Sequence, residues 1–313
     1  MKGMVILTLA ALQFCGVATL FGQEPATQDP AWVLFEKGKS EIAAQGELGI
    51  ALRYFRQALD KRVPFPEVEE AIGDIHRLEG NFLMAEIQYN KAYEQRGSFQ
   101  VREEQYRVQR KLADIYKTQE KYKQMEDALL TILEDQPYFA QPDYQRYSAA
   151  LYSTYRDKGI DYFLKLYRVE NIAFAAHAHG ELTWFYYRTG RYQQAVRHGL
   201  FGVNIFISES VPELRRYNPE FEFTNLKAFL DIALERNNIR DYLSEDGFYS
   251  QLYYLAAASH ASKLSSQAEN IWRYLSATPA ALRFRDLSRR QLEAPWIEAY
   301  LNPSARKIEY PTQ

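Results

Sequence analysis

Cysteine is almost absent from this chain: Cys15 is the only one in 313 residues, and it lies within the first 22, where Lys2 is the sole charged side chain. A domain built from the rest has no disulfide and no thiol chemistry, so packing must hold it together. A charge excess is lacking too. Lys plus Arg (38) nearly balances Asp plus Glu (40), which leaves no broad field for a nucleic-acid backbone or an anionic membrane. There is no glycine-rich dinucleotide turn, no G-x-S-x-G elbow and no H-E-x-x-H helix. Gly38-Lys39-Ser40 mimics the end of a P-loop, but Val33 stands where that motif begins with glycine, and the stretch is helical. Among five histidines, His177 and His179 come nearest to a metal pair. A two-residue step on a helix turns about 200°, so their rings point to opposite sides. His76 and His260 have no evident histidine partner. The expectation is a chain with no catalytic residues, no metal and no cofactor.

What is present is an apolar content of 47% and an aromatic content of 15%, with 24 tyrosines, the composition of a folded chain whose rings fill gaps between helices. The apolar run from Met4 to Leu12, continued to Phe21, reads as a secretory signal over residues 1–22, with Gly16-Val17-Ala18 as a small-x-small cleavage site. Two variants of this expectation are a retained membrane anchor and a lipoprotein modified at Cys15, although Phe14 stands where a lipoprotein signal has a small residue. Residues 23–30 are a polar, proline-bearing tether.

From residue 31 onward helical periodicity dominates. Gly73, His76, Gly80, Phe82, Ala85, Tyr89 and Ala92 supply the small contact residues, turn glycine and bulky interlayer residues of a helical hairpin. Gly46, Leu48, Ala51, Phe55 and Ala58 repeat the second half of that pattern 34 residues earlier. Leu112, Ala113, Tyr116, Tyr122, Met125 and Pro137 follow it after about six extra residues, which are assigned to a longer second helix through 98–104. Residues 142–171 keep Tyr152, Tyr155 and Gly159 as a degenerate fourth hairpin. Leu182, Thr183, Tyr186, Gly190, Tyr192, Ala195 and Gly199 form a clear fifth. Residues 207–223, with two prolines, read as an irregular connection. Residues 224–302 hold further hairpins, the last pairing 249–262 with 265–275, and an arginine-bearing helix after Thr278-Pro279; 303–313 is a tail.

The period and residue types resemble the tetratricopeptide repeat. That resemblance implies an all-α, TPR-like helical-hairpin solenoid over residues 31–206 and beyond, ended by a C-terminal capping helix. It also implies a concave groove lined by the first helix of each hairpin, which accepts an extended peptide or a helix of a protein partner. In that register Arg107, Arg110, Asp114 and Lys117 face the groove from the third unit, Trp184 and Tyr187 from the fifth, and Glu67, Glu70 and Asp74 from the second. Arg107, Arg110, Lys117, Trp184 and Tyr187 are thus the candidate partner-binding residues, in a groove divided electrically along its length. The family's carboxylate clamp uses lysine and asparagine where this chain has Glu70 and Asp74. Ala85 is expected between helices and Glu86 on the outside. The functional expectation is an exported scaffold or adaptor in a bacterial envelope. The alternatives are a ligand-binding component of a solute transport system, with a closed pocket created by the degenerate middle and the long 208–219 connection in the region 207–248, and a helical cell-wall enzyme.

Overall fold

Gln45-Gly46-Glu47 breaks the first apolar periodicity and separates α1 (Ala31–Ala43) from α2 (Leu48–Lys61), while Pro66 at the first helical position and Glu67 and Glu69 in the first turn open α3 (Pro66–Leu78). In this computed structural model residues 29–134, 144–172, 174–245, 247–298 and 300–301 are described. The apolar segment 1–22 with Cys15, the tether up to residue 28, Pro137, Pro142 and the 303–313 tail lie outside the described residues. Those described form fourteen α-helices and no strand. No helix among them is long and apolar enough to cross a membrane.

Helices pair with their chain neighbours. α1 packs on α2, α3 on α4 (Phe82–Glu94), and α5 (Glu104–Thr118) on α6 (Tyr122–Leu133). α8 (Ala175–Arg188) likewise packs on α9 (Tyr192–Tyr217), and α12 (Phe248–Ala261) on α13 (Ser265–Ala277). Successive pairs also touch, through α2 and α3, α4 and α5, and α6 and α8, and α12 rests on both α8 and α9. Small residues make the close approaches possible. A methyl added at Gly73 would lie 2.5 Å from the ring of Tyr89, itself fully buried and held by a 2.6 Å hydrogen bond to Asp74. The turn glycine Gly190 has φ 81°, which favours glycine, and Tyr300 lies against it.

Three sequence expectations change. The six extra residues before the third pair do not lengthen α4. That helix ends at Glu94, and a 3-10 turn at Arg96–Ser98 leads into irregular backbone up to α5, with Phe99 buried and the Gln100 amide donating to Glu67. The fourth hairpin is broken at Gly159 as expected, where φ 82° and ψ 178° interrupt α7 (Tyr144–Leu166), but it is not a member of the stack: α8 packs directly on α6, and α7 lies against α9 and α13 instead. Its buried Leu151, Tyr155, Ile160 and Phe163 require that place, and Tyr155 shares a 2.8 Å hydrogen bond with Ser259 of α12. Asp161 accepts from the Leu226 amide and from the Tyr274 hydroxyl, tying α7 to α13 and to α10 (Leu226–Ala233). Third, residues 207–217 are not irregular. α9 runs on to Tyr217 through Pro212, because Ile207, Val211 and Leu214 are buried on the same side, and three such burials at about 1.5 to 3 kcal/mol each outweigh the roughly 3 kcal/mol cost of an internal proline.

Beyond α11 (Asn237–Glu245) and the last pair, α14 (Arg283–Glu293) follows a 3-10 turn at Pro279–Ala281 and packs on α13. The chain then returns over the α8–α9 turn, where the Leu301 amide donates to the Arg188 carbonyl.

The register can be checked by substitution. Ala85 is fully buried, so Ala85→Leu should cost about 1 to 3 kcal/mol in urea unfolding. Glu86 is not outward-facing as expected: it accepts from Lys121 at 2.7 Å. Leu83, 62% exposed on the same helix, is the proper control, and Leu83→Ala should stay within about 0.5 kcal/mol of the parent. Equal losses for the two would overturn the register.

Candidate functional site

The first helices of the pairs line two clefts. The larger, about 860 Å³, is walled by α1 (Trp32, Phe35, Lys39), α3 (Glu67, Glu70, Asp74) and α5 (Glu104, Arg107, Lys111), with Gln100 and Val101 at one end. The smaller, about 400 Å³, is walled by α5 (Arg110, Lys117), α8 (His177, Glu181, Trp184) and α12 (Ser250, Gln251, Tyr254), with Glu245, Gly247 and Arg283 completing it. No residue of α2, α4, α6, α9 or α13 lines either one. A polar depression of about 490 Å³, between the irregular segment after α4 and the end of α6, is separate from both.

Helix geometry explains why α5 serves two clefts. Glu104, Arg107 and Lys111 repeat at three- and four-residue steps along one stripe, and Arg110 and Lys117 lie two turns apart on a neighbouring one. The five candidate residues therefore do not form one patch. Arg107 belongs to the larger cleft and is already engaged: its Nε and Nη2 donate to the two carboxylate oxygens of Glu70, at 2.7 Å each. Lys111 adds 2.7 Å and 2.6 Å bonds to Glu70 and Asp74. Glu70 is 2% exposed, and burial alone would raise its pKa. The bonds and charges of Arg107 and Lys111 outweigh burial and hold the carboxyl below its usual range.

Arg110, Lys117 and Trp184 do share the smaller cleft. Lys117 Nζ sits 4.0 Å above the Trp184 ring and donates to Glu181 at 2.6 Å, which fixes the indole as half-buried wall rather than free anchor. Arg110 has a longer ion pair, 3.8 Å, with Asp114. Burial lowers the His177 pKa against the opposing pull of Glu181 and Asp114, favouring its neutral form. Tyr187 does not belong to the cleft, a correction to its reading as an exposed groove residue. It is 2% exposed, and its hydroxyl accepts from the Glu298 amide at 2.8 Å because the returning C-terminal segment covers it. Of the described residues in 207–248 only Glu245 and Gly247 reach the cleft; the others build the end of α9, an irregular link over 218–225, α10, most of α11 and the start of α12.

The sequence reading missed a buried histidine pair. His179 and His198 meet across α8 and α9 with their Nδ1 atoms 3.0 Å apart, and His179 stacks on Phe201. Their signal was present, since the fifth hairpin puts both positions on facing core sides, but the two lie 19 residues apart and form no short motif. Among the described residues no cluster of three or more His, Cys, Asp or Glu is arranged to hold a metal.

Comparison with known proteins finds no matching family model. The chain is similar to an uncharacterized protein of Borreliella burgdorferi, 23% identical over 256 residues, covering 74% of this chain and 79% of that protein. It is also similar to an uncharacterized protein of Treponema pallidum, 24% identical over 230 residues, covering 73% of this chain. That match spans 61% of the Treponema protein's length.

Proposed function

We propose that this chain is a TPR-like helical solenoid acting as an exported scaffold or adaptor, which captures an extended segment of a protein partner along the face made by the first helices of its pairs. The observation that carries the proposal is the lining of the two clefts, drawn mainly from α1, α3, α5, α8 and α12, with Glu245 of α11 and Arg283 of α14, and from none of α2, α4, α6, α9 or α13. A face used for binding has exposed apolar contacts beside charges, and Trp32, Leu78 and Val101, each more than half exposed, stand in the larger cleft among Glu67, Glu104 and Lys39. The apolar segment over residues 1–22, read as an export signal, supports an envelope role.

A photo-reactive amino acid introduced singly at Leu78, Val101 or Leu83 in the native cell tests the face. Leu78 and Val101 line the cleft, whereas Leu83, equally exposed, lies on α4 away from it. Discrete adducts from the first two positions and none from Leu83 are expected. Adducts of equal yield from all three, or from none, would overturn the groove.

A further inference from the structure

We infer that the larger cleft takes a basic side chain, lysine or arginine, of an extended peptide segment, with the charged head at Glu67 and Glu104 and the flanking residues on Trp32, Leu78 and Val101. This rests on the groove reading and gives its partner a chemistry.

The four bases in the lining are already committed. Arg107 and Lys111 serve Glu70 and Asp74, Lys39 pairs with Glu36 at 3.0 Å, and Arg77 lies near the Tyr89 hydroxyl, whose pKa burial raises and the Arg77 charge pulls down. Spare capacity remains on the carboxylates. Glu67 is 92% buried, from its 8% exposure, and its Oε1 accepts from the Gln100 amide at 2.8 Å; its Oε2 is covered and has no hydrogen-bond partner among the described residues, so a cation reaches it once the side chain turns toward the cleft. Glu104 Oε2 has none either, and its other oxygen has only a 3.4 Å contact with Arg107. Unmet buried acceptors are costly, and a charged donor relieves them more than a neutral one does. Glu104 also senses Glu67. Burial pushes the Glu104 carboxyl up, and the charges of Glu67 and Glu70 add to that against the pull of Arg107, so a cation placed between Glu67 and Glu104 relieves both desolvation and like-charge repulsion.

The apolar rim specifies the rest of the ligand. Trp32, Leu78 and Val101 are 60%, 58% and 52% exposed, and they offer an indole face for the cationic head or its stem and two aliphatic contacts for neighbouring residues. From Glu67 to Leu78 the wall made by α3 is about 16 Å long at 1.5 Å per residue, the length of roughly five extended residues. A free diamine would leave most of the about 860 Å³ unfilled.

The test uses the full chain and fluorescein-labelled seven-residue peptides with one leucine on each side of a central Lys, Arg, Gln or Glu, read by anisotropy. The Lys and Arg peptides should bind at least about ten-fold tighter than the Gln peptide, the yield of one charge-assisted hydrogen bond. Glu67→Gln with Glu104→Gln should erase that preference while leaving Tm unchanged or raised, since the glutamine at 67 can still accept from Gln100. Glu104→Gln alone, on a side chain nearly a quarter exposed, should halve the preference or more and serves if the double variant folds poorly. Equal affinity for the Lys and Gln peptides, or a preference surviving in the variants, would overturn the inference while leaving the groove reading to its crosslinks. Spermidine binding as tightly as the Lys peptide would overturn the peptide assignment. No binding by any peptide would overturn the inference as well, and crosslinks from Leu78 and Val101 would then show that the groove takes a different segment.

Discussion

Arg107→Ala combined with Lys111→Ala should cost about 3 kcal/mol of folding stability at neutral pH, the low end of the range for stripping a buried charge of its partners, because the cleft mouth admits some water. The loss is not the sum of two surface pairs. Glu70 is 2% exposed and receives three bonds of 2.7 Å, two from Arg107 and one from Lys111, so the double variant leaves a largely buried carboxylate without either cation and with the Glu104 charge nearby. Either truncation alone leaves one cation in place and should cost roughly half as much. The pH dependence then changes sign. In the parent the Glu70 pKa is depressed, so its contribution is present above the ordinary carboxylate pKa and fades as pH falls through the depressed value. In the variant the uncompensated burial raises that pKa, so acidification from pH 7 toward 5 should recover part of the lost stability. Adding Glu70→Gln to the double variant should recover most of it at pH 7. Chemical unfolding at pH 7 and pH 5 checks both outcomes, and a double variant within about 0.5 kcal/mol of the parent would mean that water already solvates Glu70 in the cleft.

The helix pairs were legible in the sequence because they are locally specified. Gly46, Gly80 and Gly190 mark turns between apolar stripes, and the small residues Gly73 and Ala85 announce close contact. The ion pairs between successive first helices were half legible. Glu70 and Arg107 were both assigned to one face, yet an unsigned register does not say whether two opposite charges there await a partner or satisfy each other. In the structure they satisfy each other, and Lys117 with Glu181 does the same on α5 and α8.

What the sequence hid is long-range. The departure of α7 from the stack depends on Tyr155 reaching Ser259, 104 residues away, and on Asp161 reaching Leu226 and Tyr274; no period encodes that. Ser208, Glu209, Pro212 and Glu213 made the end of α9 look like a loop, because their polarity hides the buried side that Ile207, Val211 and Leu214 supply. Tyr187 lies only three residues from Trp184, and both lie near the inner stripe of α8. The segment around Glu298 decides which of the two is covered, and a helical wheel does not include it.

The steepest pH dependence should come from His179 and His198. Burial pushes both imidazoles down, the neighbouring His198 adding to the effect on His179 and Arg191 and Arg197 to that on His198, whose pKa lies at about 3. A 3.0 Å contact between two Nδ1 atoms works only if one carries the hydrogen and the other accepts, so the pair is neutral with opposite tautomers. Protonating either ring turns the acceptor into a second donor and puts a charge between Phe201 and Tyr186. The folded pKa values lie below the unfolded value of about 6.5, so the stabilising contribution is complete above that pH and is lost as pH falls toward about 3, at up to about 1.4 kcal/mol per pH unit for each histidine. By pH 5 the pair should cost about 4 kcal/mol. His177, also lowered, acts in the same direction, and the raised carboxyls of Glu69, Glu104 and Glu298 act in the opposite one, so the pair is isolated only by difference. Urea unfolding at pH 7, 6 and 5 on the parent and on His179→Gln with His198→Gln gives that difference. The parent should lose stability progressively and the variant should lose at least 2 kcal/mol less by pH 5, half the expected effect. Parallel curves would show that one of these rings reaches water, and would require the α8–α9 contact to open on a path the packed Phe201 and Leu200 do not provide.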